Sequence, residues 1–182
     1  MPMYKFVTSQ IKFSSEDGHI RHKEIQKHFP YGKNVRYRVD GETTIVYCSE
    51  FPTTGIDCEM TTLPEHGVGD HLRFRILTNA TVDQGEKDVA VIGIRNLVKW
   101  FQDKATTHGF SVESWEKIIP MGAVFAVKDG KKRTHNSVEF QGRLKVIDAD
   151  QFNKTLGSLK SEYFGIGRAK YCGFGLLEVI KE

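Results

Sequence analysis

Ser137-Val-Glu-Phe-Gln-Gly-Arg-Leu-Lys-Val-Ile147 is the most regular strand pattern in the chain, and what flanks it decides the fold. Directly after it, Asp148 followed by Gln151 resembles a capping arrangement, in which a short side chain takes up free backbone N–H groups, for a helix running to about Leu159. The chain then crosses a glycine-rich loop and ends in a strand over Leu176 to Ile180. Working back from Ser137, Asp129-Gly130 reads as a turn, and Phe110 to Val127 as extended chain broken at Pro120-Met-Gly122. Before that, Ile94 to Thr107 carries Leu97, Val98 and Phe101 at helical spacing.

The first half has a similar order. Tyr4 to Phe13 alternates as a strand does, and a helical pattern begins at Asp17, with Ile20, Ile25 and Phe29 placed to bury one side before Pro30 and Gly32 stop it. Val35 to Val39 and Thr43 to Ser49 read as two strands around Asp40-Gly41, a dipeptide that tolerates positive φ and so suits a tight hairpin. His71 to Thr78 is another strand, with Leu72, Phe74 and Ile76 on one face and Arg73, Arg75 and Leu77 on the other. Both halves read as strand, helix, strands, and the second adds a helix and a strand. This order fits an α+β fold of two tandem ferredoxin-like (RRM-like) βαββαβ sandwiches, divided into residues 1–85 and 86–182.

Composition narrows the functional classes. The 182 residues are 39% hydrophobic and 27% charged, which suits a soluble globular protein rather than a disordered one. The longest apolar runs, such as Gly122 to Val127, fall far short of the roughly 20 residues a membrane-spanning helix needs. The N-terminus lacks the apolar core of a secretory signal, so a cytoplasmic protein is expected. Cys48, Cys58 and Cys172 are widely spaced and form no Cys-x-x-Cys, which suggests neither a disulfide framework nor a zinc knuckle. A net charge of +3 does not by itself mark a nucleic-acid binder, but its distribution is uneven. Lys128, Lys131, Lys132 and Arg133 crowd around Asp129-Gly130, and Lys33, Arg36 and Arg38 alternate along one short segment.

Three features can carry chemistry. The first is Gly165-Ile-Gly-Arg-Ala-Lys-Tyr-Cys-Gly-Phe-Gly175. Glycines let a backbone approach a phosphate, and Arg168 and Lys170 add positive charge; equally, Gly165 and Gly167 can serve only close strand packing. Too little chain follows Gly165 for a dinucleotide-binding unit, and no Gly-Lys-Ser/Thr is present for a P-loop. The second is the pair His19 and His22, three apart on one helical face, with His28 further round. Such a pair suits acid-base work, zinc ligation with partners from elsewhere, or nothing beyond a solvated surface. The third is the basic turn, which can straddle a nucleic-acid groove and contact phosphates or simply keep a hairpin tip soluble.

In this order the three features resemble the CRISPR-associated repeat-processing endoribonuclease of type I-E Cascade, the CasE family. Val138-Glu-Phe-Gln-Gly-Arg-Leu-Lys-Val-Ile-Asp148, a helix, Gly-Ile-Gly-Arg-Ala-Lys and Gly-Phe-Gly-Leu-Leu are similar to the family's C-terminal signature. His22, followed seven residues later by Phe29-Pro30, is similar to its catalytic helix, and His71-Leu-Arg-Phe-Arg75 agrees in the middle. The resemblance implies a metal-independent endoribonuclease without cofactor. Its partners would be the CRISPR repeat stem-loop RNA, cut once at the base of the stem, and other Cascade subunits, with the product retained. His22 falls where the family has its catalytic histidine, and His19 replaces a tyrosine that assists catalysis in relatives. The segment Gly157 to Tyr163 is also longer than in the family.

On this reading the RNA's own 2′-hydroxyl attacks the adjacent phosphate, with His22 as general base or as acid for the leaving 5′-oxygen. His19 is its complementary partner or steadies the phosphate, and Lys23 or the basic hairpin stabilises the developing charge. Lys128, Lys131, Lys132, Arg133, Gly165, Gly167, Arg168 and Lys170 are the other expected RNA contacts, reading a stem mainly by shape. The main alternative is a catalytically inactive tandem RRM-like RNA-binding subunit, and a histidine-ligated metalloenzyme is a second.

Overall fold

The computed structural model describes residues 2–29, 35–85, 88–128, 130–157 and 164–181, and within these the side chains of all but Phe125, Lys128 and Tyr171. Pro30, Gly32, Lys33, Asp129 and most of the segment Gly157 to Tyr163 therefore lie outside the described residues. Strands β1 (Tyr4–Thr8), β2 (Arg36–Asp40), β3 (Thr43–Cys48) and β4 (Glu59–Thr62) form one antiparallel sheet in the order β2-β3-β1-β4. Helix α1 (Gly18–His28) joins β1 to β2. Strands β5 (His71–Asn79), β8 (Phe110–Lys128), β9 (Lys131–Val146) and β10 (Leu177–Lys181) form a second sheet, ordered β10-β5-β9-β8. Helix α2 (Ile94–Thr107) joins β5 to β8, and α3 (Ala149–Gly157) joins β9 to β10.

Each sheet has the ferredoxin-like order, with the strand that precedes each crossover at its centre and the strand that follows it at an edge. The first unit crosses from β3 to β4 without a helix, since residues 49–58 are described and irregular. A further two-stranded ribbon, β6 (Thr81–Asp83) with β7 (Asp88–Ala90), sits between β5 and α2 and has no counterpart in the sequence reading.

Two readings change. His71 to Thr78 was grouped with the first half, but β5 pairs with β9 and β10 as a central strand of the second sheet. Its apolar face, Leu72, Phe74 and Ile76, closes the core beneath α2 and α3 with Phe101, Phe110, Phe140 and Phe152, so burial and not position in the chain assigns it. Ile20, expected on the buried side of α1, is 38% exposed, whereas Ile25 and Phe29 are fully buried. The apolar anchor of α1 is thus confined to its C-terminal half.

Local chemistry accounts for several boundaries. Gly41, at φ +60°, begins the two-residue loop between Asp40 and Thr43. The break expected at Pro120-Met-Gly122 is a β-bulge in β8 that leaves its pairing with β9 intact on both sides. Asp148 accepts a hydrogen bond from the Gln151 N–H at 3.0 Å, which caps α3 as expected.

The sheets meet through their helix-free faces. Met3, Ile45 and Tyr47 pack against Phe164 and Leu176. Beside them Arg38, 4% exposed, pairs with Glu178, which also receives Lys5 at 3.4 Å, and Arg75 bridges Asp40 (2.7 Å) and Glu139 (2.9 Å). Arg38 is therefore committed to the junction between the sheets, because a buried guanidinium is tolerated only with its partners in place.

Candidate active site

Helix α1 begins where Asp17, in extended conformation, accepts hydrogen bonds through Oδ1 from the backbone N–H groups of His19 (2.8 Å) and Ile20 (3.1 Å). His19 and His22 follow within the first turns, each half-buried, and Lys23 is exposed beside them. The His22 imidazole faces Tyr37 of β2, ring centroids 6.4 Å apart and planes 22° apart. Tyr37 is 1% exposed, and burial pushes its hydroxyl well above the ordinary tyrosine value. Burial holds His22 below its ordinary value, helped by the positive charges of His19 and Arg36. A neutral imidazole that can accept a proton is therefore its resting form at neutral pH.

Arg36 is the cation built into this corner. Its Nε donates to the Phe164 carbonyl at 3.2 Å, and its guanidinium lies 4.8 Å from the centre of the Phe164 ring. Burial lowers its pKa to about 10, which leaves it charged at neutral pH.

The hairpin of β8 and β9 rises beside the helix. Lys131, Lys132 and Arg133 are exposed at the start of β9; Lys128 ends β8, its side chain lying outside the described residues. The backbone N–H of Val127, near the tip of β8, donates to Asp17 Oδ2 at 2.8 Å. On its other side the same first turn touches the glycine-rich loop: a Cβ on Gly18 would fall 2.6 Å from Cys172 Sγ. Gly173, at φ +86°, would place its Cβ 3.1 Å from the Tyr37 ring. The histidines, the basic hairpin and the loop, widely separated in sequence, therefore meet at the N-terminus of α1.

The loop itself is held by the second sheet. Gly165 N–H donates to Thr155 O (3.0 Å), Ile166 N–H to Gly175 O (2.9 Å), Gly175 N–H to Leu77 O (2.7 Å) and the Thr78 hydroxyl to Ile166 O (2.9 Å). Cβ atoms on Gly165 and Gly167 would fall 2.6 Å from Gly175 O and 2.3 Å from Thr78 Oγ1, so close packing alone requires both glycines. Arg168 extends to Asp83 (3.1 Å) and Asp88 on the β6-β7 ribbon, and Lys170 Nζ donates to Phe164 O at 2.9 Å. Both expected RNA-contacting cations of the loop thus have carboxylate or carbonyl partners within the chain. Between the loop and β9 lies a cleft of about 720 Å³ that Asn79, Arg133, His135, Arg168 and Lys170 help to line.

Sequence reasoning placed His19, His22 and the hairpin but missed Asp17, Arg36 and Tyr37 as members of this corner. Asp17 was visible only as a helix start. Tyr37 lies in a strand whose alternation shows that it points inward, not that a histidine waits there. Among the described residues no three or more His, Cys, Asp or Glu side chains are grouped to hold a metal ion, and no helix is long and apolar enough to cross a membrane.

The profile of the family described as CRISPR associated protein matches residues 8–181. No match was found among curated protein sequences. Solved structures that share the fold include Thermus thermophilus Cse3 bound to an RNA representing a pre-cleavage complex, with TM-score 0.77 at 20% identity, covering 99% of this chain and 100% of that one. The CRISPR-associated protein Cas6e from Escherichia coli K-12 gives 0.69 at 22% identity over the full length of both chains. A chain of E. coli Cascade bound to a PAM-containing double-stranded DNA target gives 0.65 at 17%, again over both full lengths.

Proposed function

The chain belongs to the CRISPR-associated protein family, and from that premise we propose that it is a metal-independent endoribonuclease. It cuts CRISPR precursor RNA at the base of the repeat stem-loop, remains on the product and joins other subunits in a cytoplasmic Cascade complex. The observation that carries this reading is His22: a half-buried imidazole with a lowered pKa, on a helix whose first turn is hydrogen-bonded to a basic hairpin. The shared fold of RNA-bound Cse3 and of a Cascade chain supports it.

RNA carries its own nucleophile. In the proposed reaction His22 takes the proton of the 2′-hydroxyl as that oxygen attacks the adjacent phosphorus, the bond from phosphorus to the 5′-oxygen breaks, and a proton passes to that oxygen. In this reading His19 supplies that proton. The products are a 2′,3′-cyclic phosphate and a 5′-hydroxyl. Lys131, Lys132 and Arg133, with Lys128 at the same tip and Lys23 on the helix, bind phosphates of the stem. Arg36 adds a fixed positive charge near His22. Positioned acid-base catalysis contributes about 10²–10⁴-fold, and cations fixed before the reaction stabilise the phosphorane without reorganisation. Gly165, Gly167, Arg168 and Lys170 shape the loop that packs against this corner, and the exposed part of Arg168 faces the cleft where a strand leaving the stem would lie.

The test is His22→Ala. It should abolish cleavage of the repeat hairpin while leaving binding nearly intact. An unchanged cleavage rate would remove His22 from the mechanism.

A further inference from the structure

Helix α1 is eleven residues long, and its buried side chains are few. Ile25, with Phe29 just beyond the helix, anchors the C-terminal half, whereas Ile20, the apolar side chain of the first turn, is exposed. That turn rests on Cys172 through Gly18 and on Tyr37 through His22, and Asp17 ties it to the hairpin. One carboxylate oxygen closes the helix end on the N–H groups of His19 and Ile20, and capping needs no more than one oxygen, which serine or asparagine supplies about as well. The second oxygen has a separate partner, the N–H of Val127. Strand β8 is the outermost of its sheet, and its outward N–H groups find partners only on another segment. Val127 pairs with Lys132 across the hairpin, so the bridge ends directly opposite one of the basic side chains.

We propose that Asp17 is a positioning residue, which registers the histidine-bearing turn of α1 against the basic hairpin so that phosphates held by the hairpin present the scissile linkage to His22. The inference rests on the endoribonuclease reading. Burial by itself would raise the Asp17 carboxyl, but the N–H groups of Ile20, Val127 and His19 outweigh it and keep the group ionised. His19 faces it from the helix.

The distinguishing variants keep the cap and break the bridge. Asp17→Ser has one short acceptor, and Asp17→Asn turns an N–H₂ donor toward the Val127 N–H. Val127→Pro removes the donor from the other end, on an outer strand where proline is tolerated. Single-turnover cleavage of the repeat hairpin at saturating full-length protein should slow about ten- to a hundredfold in each, as expected for a misplaced catalytic group. The dissociation constant should stay unchanged because the hairpin cations are intact. Amide exchange at Val127 should accelerate in Asp17→Ser, and Asp17→Ser/Val127→Pro should cleave no more slowly than the slower single variant.

Wild-type cleavage rates in Asp17→Ser and Asp17→Asn would overturn the inference, since capping alone would then suffice. So would a loss confined to affinity, or losses that multiply in the double variant. A wild-type chain that binds the hairpin without cutting it would overturn the endoribonuclease reading itself, an outcome visible before any variant is made.

Discussion

The ring of His22 lies nearly parallel to that of Tyr37, with centroids 6.4 Å apart. Tyr37 is buried beneath the imidazole. Tyr37→Phe keeps the ring and should cleave at close to the wild-type rate. Tyr37→Leu should lower kcat roughly tenfold with RNA affinity retained. Its pH-rate profile should move toward higher pH, because a smaller side chain admits water to His22 and relaxes the burial that holds its pKa down. A profile unchanged by Tyr37→Leu would mean that the stacking does not tune His22.

Lys132→Ala and Arg133→Ala should each weaken binding of the repeat hairpin across sequences. Each should also reduce the slope of log affinity against log salt by about one, the signature of one lost phosphate contact. Titrations over a range of salt concentrations read this directly. A slope unchanged in both variants would place the RNA elsewhere on the molecule.

Gly167 has φ +89°, and a Cβ there would meet Thr78 Oγ1 at 2.3 Å. Gly167→Ala should therefore destabilise the fold by about 1–3 kcal/mol, from overpacking and an unfavourable φ together. Denaturant unfolding measures the loss. Gly41, at φ +60° with open space around it, provides a comparison in which only the backbone term applies. If Gly167→Ala is as stable as wild type but binds RNA weakly, the glycine serves close approach to phosphate and not packing.

His108 is buried at the end of α2, with Nδ1 2.8 Å from the Thr155 hydroxyl. Burial, aided by Lys170 and Lys104, lowers its pKa from 6.5 to about 4. The folded chain holds it neutral while the unfolded chain takes up a proton, so its contribution is complete above 6.5 and is lost as pH falls toward 4. The loss amounts to about 3 kcal/mol. His22, His66 and His135, also lowered mainly by burial, act in the same direction. Denaturant midpoints should drop over this window, and less steeply in His108→Asn. An equal drop in that variant would assign the pH dependence to other groups.

Much of the fold is legible because alternation and capping are local. Leu72, Phe74 and Ile76 announce a half-buried strand, and Asp148 announces a helix, whatever lies across from them. Which sheet His71–Asn79 joins is a matter of long-range pairing, and a division by position in the chain put it in the wrong half. The β6-β7 ribbon escaped because Thr81–Asp83 and Asp88–Ala90 are too short to show a period. At the candidate site, His22 and the basic turn stand out by residue type. Asp17, Arg36 and Tyr37 do not, because what sets them in this corner is contact with Val127, Phe164 and His22, each on another element of the fold. The glycines of the loop were visible, but only the positions of Thr78 and Gly175 reveal how tightly they pack.

The most direct test is cleavage of a CRISPR-repeat hairpin RNA from the protein's own source, in excess chelator, beside the same RNA carrying a 2′-deoxy sugar at the cut site. The account predicts that the first is cut to a 2′,3′-cyclic phosphate and a 5′-hydroxyl and that the second is bound but left whole. Cleavage of the deoxy substrate, or cleavage that stops in chelator, would contradict it.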